Sequence, residues 1–144
     1  MKVVVQRVKK ASVKVLENVV GKIDSGLLLF VGFTEGDNEE KIDYMIKKIL
    51  KLRIFDDECG IMNLSVEDTK GSILSVSQFT LYADTSKGNR PSYAKALGGS
   101  EAVKLYELFN AKLKEFIHVE TGIFGAEMEV SLINDGPITI ILER

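Results

Sequence analysis

The 144-residue sequence has no tryptophan, one cysteine, one histidine and two prolines, and each scarcity removes a class of chemistry. Cys59 has no partner for an internal disulfide, and it stands in the acidic stretch Asp56-Asp57-Glu58-Cys59, a setting that does not suit a thiolate nucleophile. His118 alone cannot build a multi-histidine metal site, and a Cys/His zinc site would be short of ligands. Neither a metal nor another cofactor is expected. No apolar run approaches the roughly 18 to 20 residues that a membrane span needs, and Met1 leads into the strand-like Val3-Val4-Val5 rather than into a signal peptide. A cytoplasmic protein without membrane contact is the expectation. A formal net charge of -2 gives no global attraction for nucleic acid. That speaks against DNA as a partner and confines any RNA contact to a local patch.

What is present is ordinary globular material. With 45% hydrophobic and 28% charged residues, the chain reads as one domain over 1–144, able to bury roughly two thirds of the surface its unfolded form exposes. Val3, Val5 and Val8, then Val13 and Val15, recur near period two and predict strands over 2–16, with Gly21 and Gly26 marking turns. The run Leu27-Leu28-Leu29-Phe30-Val31 is apolar on both faces, as in a central strand covered on both sides. Asp37 followed by Glu40 resembles a capping box. Ile42, Met45, Ile46, Ile49 and Arg53 then give one face of a helix over 38–52. Its other face, with Lys41, Lys47, Lys48 and Lys51, reads as a solvated side rather than a nucleic-acid patch.

A strand follows over Ile73 to Ala83, then a basic loop Lys87-Gly88-Asn89-Arg90-Pro91. Ser100 caps a second helix over 101–116 in which Ala102, Leu105, Phe109, Leu113 and Phe116 face the core. Met128, Val130 and Leu132 alternate with polar residues, and Ile138 to Leu142 follows the turn Asn134-Asp135-Gly136-Pro137. The order β-β-(β-α)2-β-β-β fits a mixed α/β domain, a three-layer β/β/α sandwich with both helices on one side.

Chemistry is suggested at two places. Ser77, Gln78 and Thr80 interrupt an otherwise apolar strand at Ser77-Gln78-Phe79-Thr80-Leu81, which points to a small polar pocket at a strand end. A hydroxyl nucleophile needs a base. The only histidine, His118, is far away in sequence, so electrostatic catalysis by main-chain N–H groups around Gln78 and Phe79 is the alternative. The second place is Asn134-Asp135-Gly136-Pro137-Ile138-Thr139. There a Gly-Pro peptide presents two carbonyl oxygens with no side chain beyond the ring to obstruct a ligand.

Together with the opening Val5-Gln6-Arg7-Val8, the block Ser77-Gln78-Phe79-Thr80-Leu81-Tyr82, the loop Lys87-Gly88-Asn89-Arg90-Pro91-Ser92, the segment Thr121-Gly122-Ile123-Phe124-Gly125-Ala126-Glu127-Met128 and Asn134-Asp135-Gly136-Pro137, the sequence resembles the D-aminoacyl-tRNA deacylases of the bacterial and eukaryotic type over essentially its whole length. The resemblance implies an editing hydrolase that cleaves the ester of D-aminoacyl-tRNA to free tRNA and D-amino acid. It also implies a homodimer in which Gly136-Pro137, expected as a cis peptide, enters the partner's pocket and rejects L side chains. Glycine has no side chain to reject, so glycyl-tRNA mischarged on tRNA(Ala) should also pass. The substrate partner is the acceptor 3′ end of the tRNA. By the same resemblance Ser77, Gln78, Phe79 and Thr80 form the catalytic wall, Phe124 and Met128 shape an adenosine pocket, and Arg7 braces the Gly-Pro element. The terminal adenosine's 2′-hydroxyl is the expected activator, with Thr80 as nucleophile the older alternative. Two other readings exist. One is a non-catalytic RNA-binding module using Lys87, Arg90 and Lys95; the other is a serine hydrolase using Ser75 or Ser77, which lacks a Gly-x-Ser-x-Gly elbow.

Overall fold

A computed structural model describes residues 1–144. The chain runs β1 (Lys2–Val15), β2 (Asn18–Ile23), β3 (Gly26–Gly32), α1 (Glu39–Lys51), β4 (Phe55–Asp56), β5 (Met62–Leu64), β6 (Ser72–Ser77), a 3-10 turn (Phe79–Tyr82), α2 (Gly99–Leu113), β7 (Val119–Thr121) and β8 (Glu129–Glu143). The main sheet has the order β2-β1-β3-β6-β7, with β8 on the other edge of β1; β4 and β5 form a separate small ribbon. β3, β6 and β7 are parallel neighbours. Parallel pairing demands crossovers, and α1 and α2 lie in the two connections.

The sheet curls until β2 approaches β7. Gly21 makes that approach possible, because a Cβ there would sit 2.8 Å from the Thr121 carbonyl oxygen. Inside the nearly closed sheet lies a small core of Val8, Ala11, Val13, Ile23, Leu28, Leu74 and Val76. The larger core lies between the outer sheet face and the helices, where Val3, Val5, Leu27, Leu29 and Ile73 meet Ile42, Met45, Ile49, Phe109 and Leu113. Successive residues of β3 therefore feed two different cores, which is why Leu27 to Leu29 are all buried. The mixed α/β reading with a layered sheet and two helices is the architecture found.

Several elements differ in detail from the sequence reading. Gly21 lies inside β2 rather than in a turn; the chain reverses at Leu16-Glu17, both at positive φ, a two-residue connection between Val15 and Asn18. The α1 cap is Asn38, whose side chain accepts from Lys41 N–H at 3.1 Å. Asp37 instead accepts from Thr34 N–H at 2.8 Å and from the Met1 ammonium at 2.5 Å. Helix α2 starts and ends about a turn's fraction earlier than expected, with Gly98 at its cap. Tyr106 takes the core position assigned to Leu105, which is only partly buried. Phe116 lies past the helix end and is exposed. Between α1 and β6 the short ribbon of β4 and β5 was not anticipated. The C-terminal segment is one long strand along β1 rather than two strands around a hairpin turn.

Candidate functional site

The polar cluster is placed by a strand that stops. Gln78 N–H donates to the Val31 carbonyl at 2.8 Å, the last bond between this segment and β3. The chain then winds into a 3-10 turn closed by Leu81 N–H to Gln78 O at 3.3 Å and Ala83 N–H to Thr80 O at 3.0 Å. Gly32 is required beside it, since a Cβ there would fall 2.8 Å from the Gln78 carbonyl oxygen. The expected strand over 73–83 therefore ends at Ser77. One expectation fails here. The Gln78 N–H is occupied by Val31, so it is not a free oxyanion donor. The N–H groups of Phe79 and Thr80, in the first turn of the 3-10 segment, have no intrahelical acceptor.

Ser77, Gln78 and Phe79 form one wall of a cleft of about 270 Å³. Phe124, Gly125, Ala126, Met128 and Val130 form the facing wall, with Gly32, Phe33, Leu97 and Ala102 among the remaining lining residues. No carboxylate, histidine, lysine or arginine lines it. Behind the walls, Tyr106 of α2 donates its hydroxyl to the Ser75 carbonyl at 2.8 Å, and its ring lies against Phe124 with centroids 5.7 Å apart. Burial, the largest influence, pushes the Tyr106 phenol up, so it stays a neutral donor that ties α2 to the end of β6. At the mouth, half-exposed Phe79 meets Tyr93 edge-on at 5.1 Å.

Tyr93 follows a small hairpin. Asp84 N–H donates to Ser92 O at 2.8 Å and Ser92 N–H returns to Asp84 O at 2.9 Å. The exposed tip carries Lys87 and Arg90. Its base is held by the Asp84 carboxylate, which accepts from Ser86 N–H at 3.0 Å and pairs with Lys95 at 3.2 Å. Ser86, then Lys95, hold the Asp84 carboxyl down at about 2.

Five of the expected site residues thus meet in the cleft: Ser77, Gln78, Phe79, Phe124 and Met128. Thr80 is half-buried beside it and does not line it; its hydroxyl accepts from the Gln78 amide at 2.5 Å. Arg7, Gly136 and Pro137 lie elsewhere on the same chain. Gln6 pairs with Thr139 and Val8 with Asn134, so the four residues 135–138 loop out opposite Arg7 alone. Buried Arg7 donates Nε to the Asp135 carbonyl at 2.9 Å and Nη1 to the Ile54 carbonyl at 2.7 Å. Asn134 closes the loop's base: its Oδ1 accepts from Ile138 N–H at 2.7 Å, and its Nδ2 donates to Ile138 O at 3.1 Å. The Gly136–Pro137 peptide is cis, and both residues are exposed.

His118 pairs with Glu120 at 2.9 Å beside β7 and does not line the cleft. No group of three His, Cys, Asp or Glu side chains is arranged to hold a metal. The sequence reading missed Tyr106, Tyr93 and Asn134 as site-building residues. The spacing Ala102-Tyr106-Phe109-Leu113 carried the signal for Tyr106. Chemically, an apolar cleft with backbone donors and no base suits a substrate that is already activated and brings its own proton acceptor or hydroxyl.

A family model described as D-Tyr-tRNA(Tyr) deacylase matches residues 4–143. Among solved structures, the chain is similar to one described as c-Myc DNA Unwinding Element Binding Protein, at 40% identity and a TM-score of 0.95, over 100% of this chain and 99% of that one. It is also similar to one described as a probable eukaryotic D-amino acid tRNA deacylase, at 17% identity and a TM-score of 0.84, over 98% and 97% of the two chains. At that identity the second likeness concerns the fold.

Proposed function

The chain belongs to the D-Tyr-tRNA(Tyr) deacylase family, and on that premise we propose that it hydrolyses the ester of D-aminoacyl-tRNA as one domain over 1–144, with the aminoacylated 3′ end seated in the cleft between Ser77–Phe79 and Phe124–Met128. The observation that carries this reading is the cleft itself: apolar walls, no acid or base, and at its edge a Phe79 main-chain N–H that no carbonyl of the chain accepts, with that of Thr80 beside it. A carboxylic ester of an RNA is labile enough to need little more than orientation and an oxyanion donor, a contribution of roughly 3–4 kcal/mol per donor. The neighbouring ribose 2′-hydroxyl supplies the group that the lining residues lack. In this scheme Thr80 orients the Gln78 amide, which donates to its hydroxyl, and is not the nucleophile.

Selection between D and L is assigned to the partner subunit's Gly136-Pro137 loop. Within one chain the loop and the cleft are separate, yet the loop is exposed, rigidly clasped by Asn134 and Arg7, and has only a proline ring at its tip. Beside it β8 offers a long edge with Ile133 and Ile141 exposed, apolar surface suited to a second copy. In a homodimer each loop would reach the other subunit's cleft and exclude a side chain by collision, without reading its identity. D-amino acids in general and glycine, including glycyl-tRNA(Ala), would pass. Such a task fits the cytoplasm, and no helix is long and apolar enough to cross a membrane.

The test is the release of tyrosine from D-tyrosyl-tRNA and L-tyrosyl-tRNA side by side, with a protein-free blank. The D-ester should disappear much faster than the blank and the L-ester at the blank rate. Cleavage of neither would reduce the protein to a nucleic-acid-binding module centred on Lys87, Arg90 and Lys95.

A further inference from the structure

Tyr106 reaches both walls of the cleft from behind, one through its hydroxyl and the other through its ring. The need for the hydroxyl follows from where β7 stops. β6 runs to Ser77, whereas β7 pairs with it only at Ile73, Leu74 and Ser75. Alternate residues of β6 bond toward β7: Ile73 N–H donates to His118 O, and Ser75 O accepts from Gly122 N–H, both at 3.0 Å. Gln78 belongs to the other set, and its N–H donates back to Val31 of β3. Ser77 therefore turns its main chain toward a side on which no strand continues. The Tyr106 hydroxyl takes that place. It donates to Ser75 O at 2.8 Å, and its oxygen faces the Ser77 main-chain N–H.

The ring serves the opposite wall. It lies against Phe124 at a centroid distance of 5.7 Å, and Phe124, just past β7, begins the facing side of the cleft. One turn earlier on α2, Ala102 lines the cleft itself. The bond from Tyr106 to β6 therefore sets how far α2 and Phe124 stand from Ser77. One turn later, buried Asn110 brings its side chain to the same phenol oxygen, and its Oδ1 is left without a partner in the protein. An unpaired buried oxygen costs stability; what this network secures is the placement of the wall.

We propose that Tyr106 is a positioning residue for ester hydrolysis: its hydroxyl holds Ser77, and with it the Phe79 main-chain N–H that follows, at a fixed distance from the Phe124 wall. The assignment rests on the deacylase reading. Under that reading the ester lies against Ser77–Phe79 and the terminal nucleoside against Phe124–Met128. The hydroxyl of Tyr106 then governs kcat, through the alignment of the ester with its donor, and the ring governs KM, through the wall that receives the nucleoside. Tyr106 does not line the cleft and meets no substrate atom.

The experiment compares wild type, Tyr106→Phe and Tyr106→Leu on D-tyrosyl-tRNA. Tyr106→Phe keeps the ring on Phe124 and leaves Ser75 O its bond from Gly122 N–H, so the variant should fold. Its kcat should fall about ten- to hundredfold while KM stays within about twofold of wild type. Tyr106→Leu also removes the ring and should add a rise in KM of about tenfold. Ile49→Val, a truncation in the core under α1 and away from the cleft, is the control for lost stability and should leave both constants unchanged. The proposal is overturned if Tyr106→Phe keeps the wild-type kcat, or if its KM rises as much as its kcat falls. Failure of wild type itself to cleave the ester would instead sink the deacylase reading, and this assignment with it.

Discussion

Arg7 Nε donates to the carbonyl of Asp135 at 2.9 Å, bridging the place where four residues of β8 loop out opposite a single residue of β1. The same guanidinium donates to Ile54 O at 2.7 Å and lies 3.5 Å from the Asp56 carboxylate. The small β4–β5 ribbon is thereby coupled to the loop that carries Gly136 and Pro137. A buried fork reaching two carbonyls in different directions is a task lysine cannot copy. Arg7→Lys should lower stability by about 1.5–3 kcal/mol, the range for hydrogen bonds to a charged group. It should also raise hydrolysis of L-tyrosyl-tRNA relative to the D-ester. Thermal unfolding and the paired rate assay check the two halves; an unchanged D-to-L ratio in a destabilised variant would confine Arg7 to a structural role.

Thr80→Ala removes the acceptor of the Gln78 amide and nothing that lines the cleft. If the ribose hydroxyl and backbone donors do the chemistry, kcat on D-tyrosyl-tRNA falls by less than about tenfold, the loss of one neutral hydrogen bond. A fall of several orders of magnitude with tRNA binding retained would restore Thr80 as nucleophile.

Much of the architecture was legible from the sequence because its signals were packing signals. The all-apolar Leu27 to Val31 run did mark a strand covered on both faces, and Ile42 to Ile49 did mark the buried side of α1. What failed was local geometry set by distant partners. Leu16-Glu17 has no glycine or asparagine to announce a turn with two positive φ values. Asn134-Asp135-Gly136-Pro137 has the composition of a hairpin turn. Here it is a loop out of a continuous strand, because Asn134 bonds Ile138 across the loop's base and β1 continues past it. Ser77–Thr80 read as strand because nothing in sequence shows that Gly32 and Val31 O lie where the chain must turn. The cleft residues were found through motif resemblance; the pairing of Tyr106 with Ser75 across α2 and β6 was not, since it depends on tertiary approach.

Closure of the sheet should be sensitive to one methyl group. A Cβ on Gly21 meets Thr121 O at 2.8 Å and the Leu74 side chain at 3.0 Å, and the first of these is backbone that cannot rotate away. Gly21→Ala is expected to cost about 1–3 kcal/mol, the usual range for overpacking a core, read as a lower denaturation midpoint. A midpoint equal to wild type would mean that β2 does not press on β7 in solution.

The hairpin at the cleft mouth should respond to acid in a specific window. Asp84 has its carboxyl held down at about 2 from an ordinary 3.8 by Ser86 and Lys95. A depressed folded value means that the carboxylate's contribution is present above the ordinary value and is lost as pH falls through the folded one. The Asp84–Ser92 hairpin therefore stays closed at neutral pH and down to about 4, and it loosens between about 4 and 2. The Ser86 amide proton shift, followed by NMR, should titrate with a midpoint near the lower figure. A midpoint near 4 would show that the Ser86 and Lys95 contacts do not hold the carboxylate.

The central claim is that one subunit's Gly-Pro loop completes the other's cleft, and a crosslink tests it most directly. In a Cys59→Ser background, cysteines are placed at Pro137 and at Ala126 on the cleft wall. Ala126 lines the cleft and Pro137 does not, and only a bond between subunits doubles the mass on the gel, so a bond within one chain would not be mistaken for it. Mild oxidation should convert the Pro137→Cys/Ala126→Cys protein to a covalent dimer on a non-reducing gel, while either single variant stays monomeric. A double variant that stays monomeric on the gel, although it sediments as a dimer, would contradict the account.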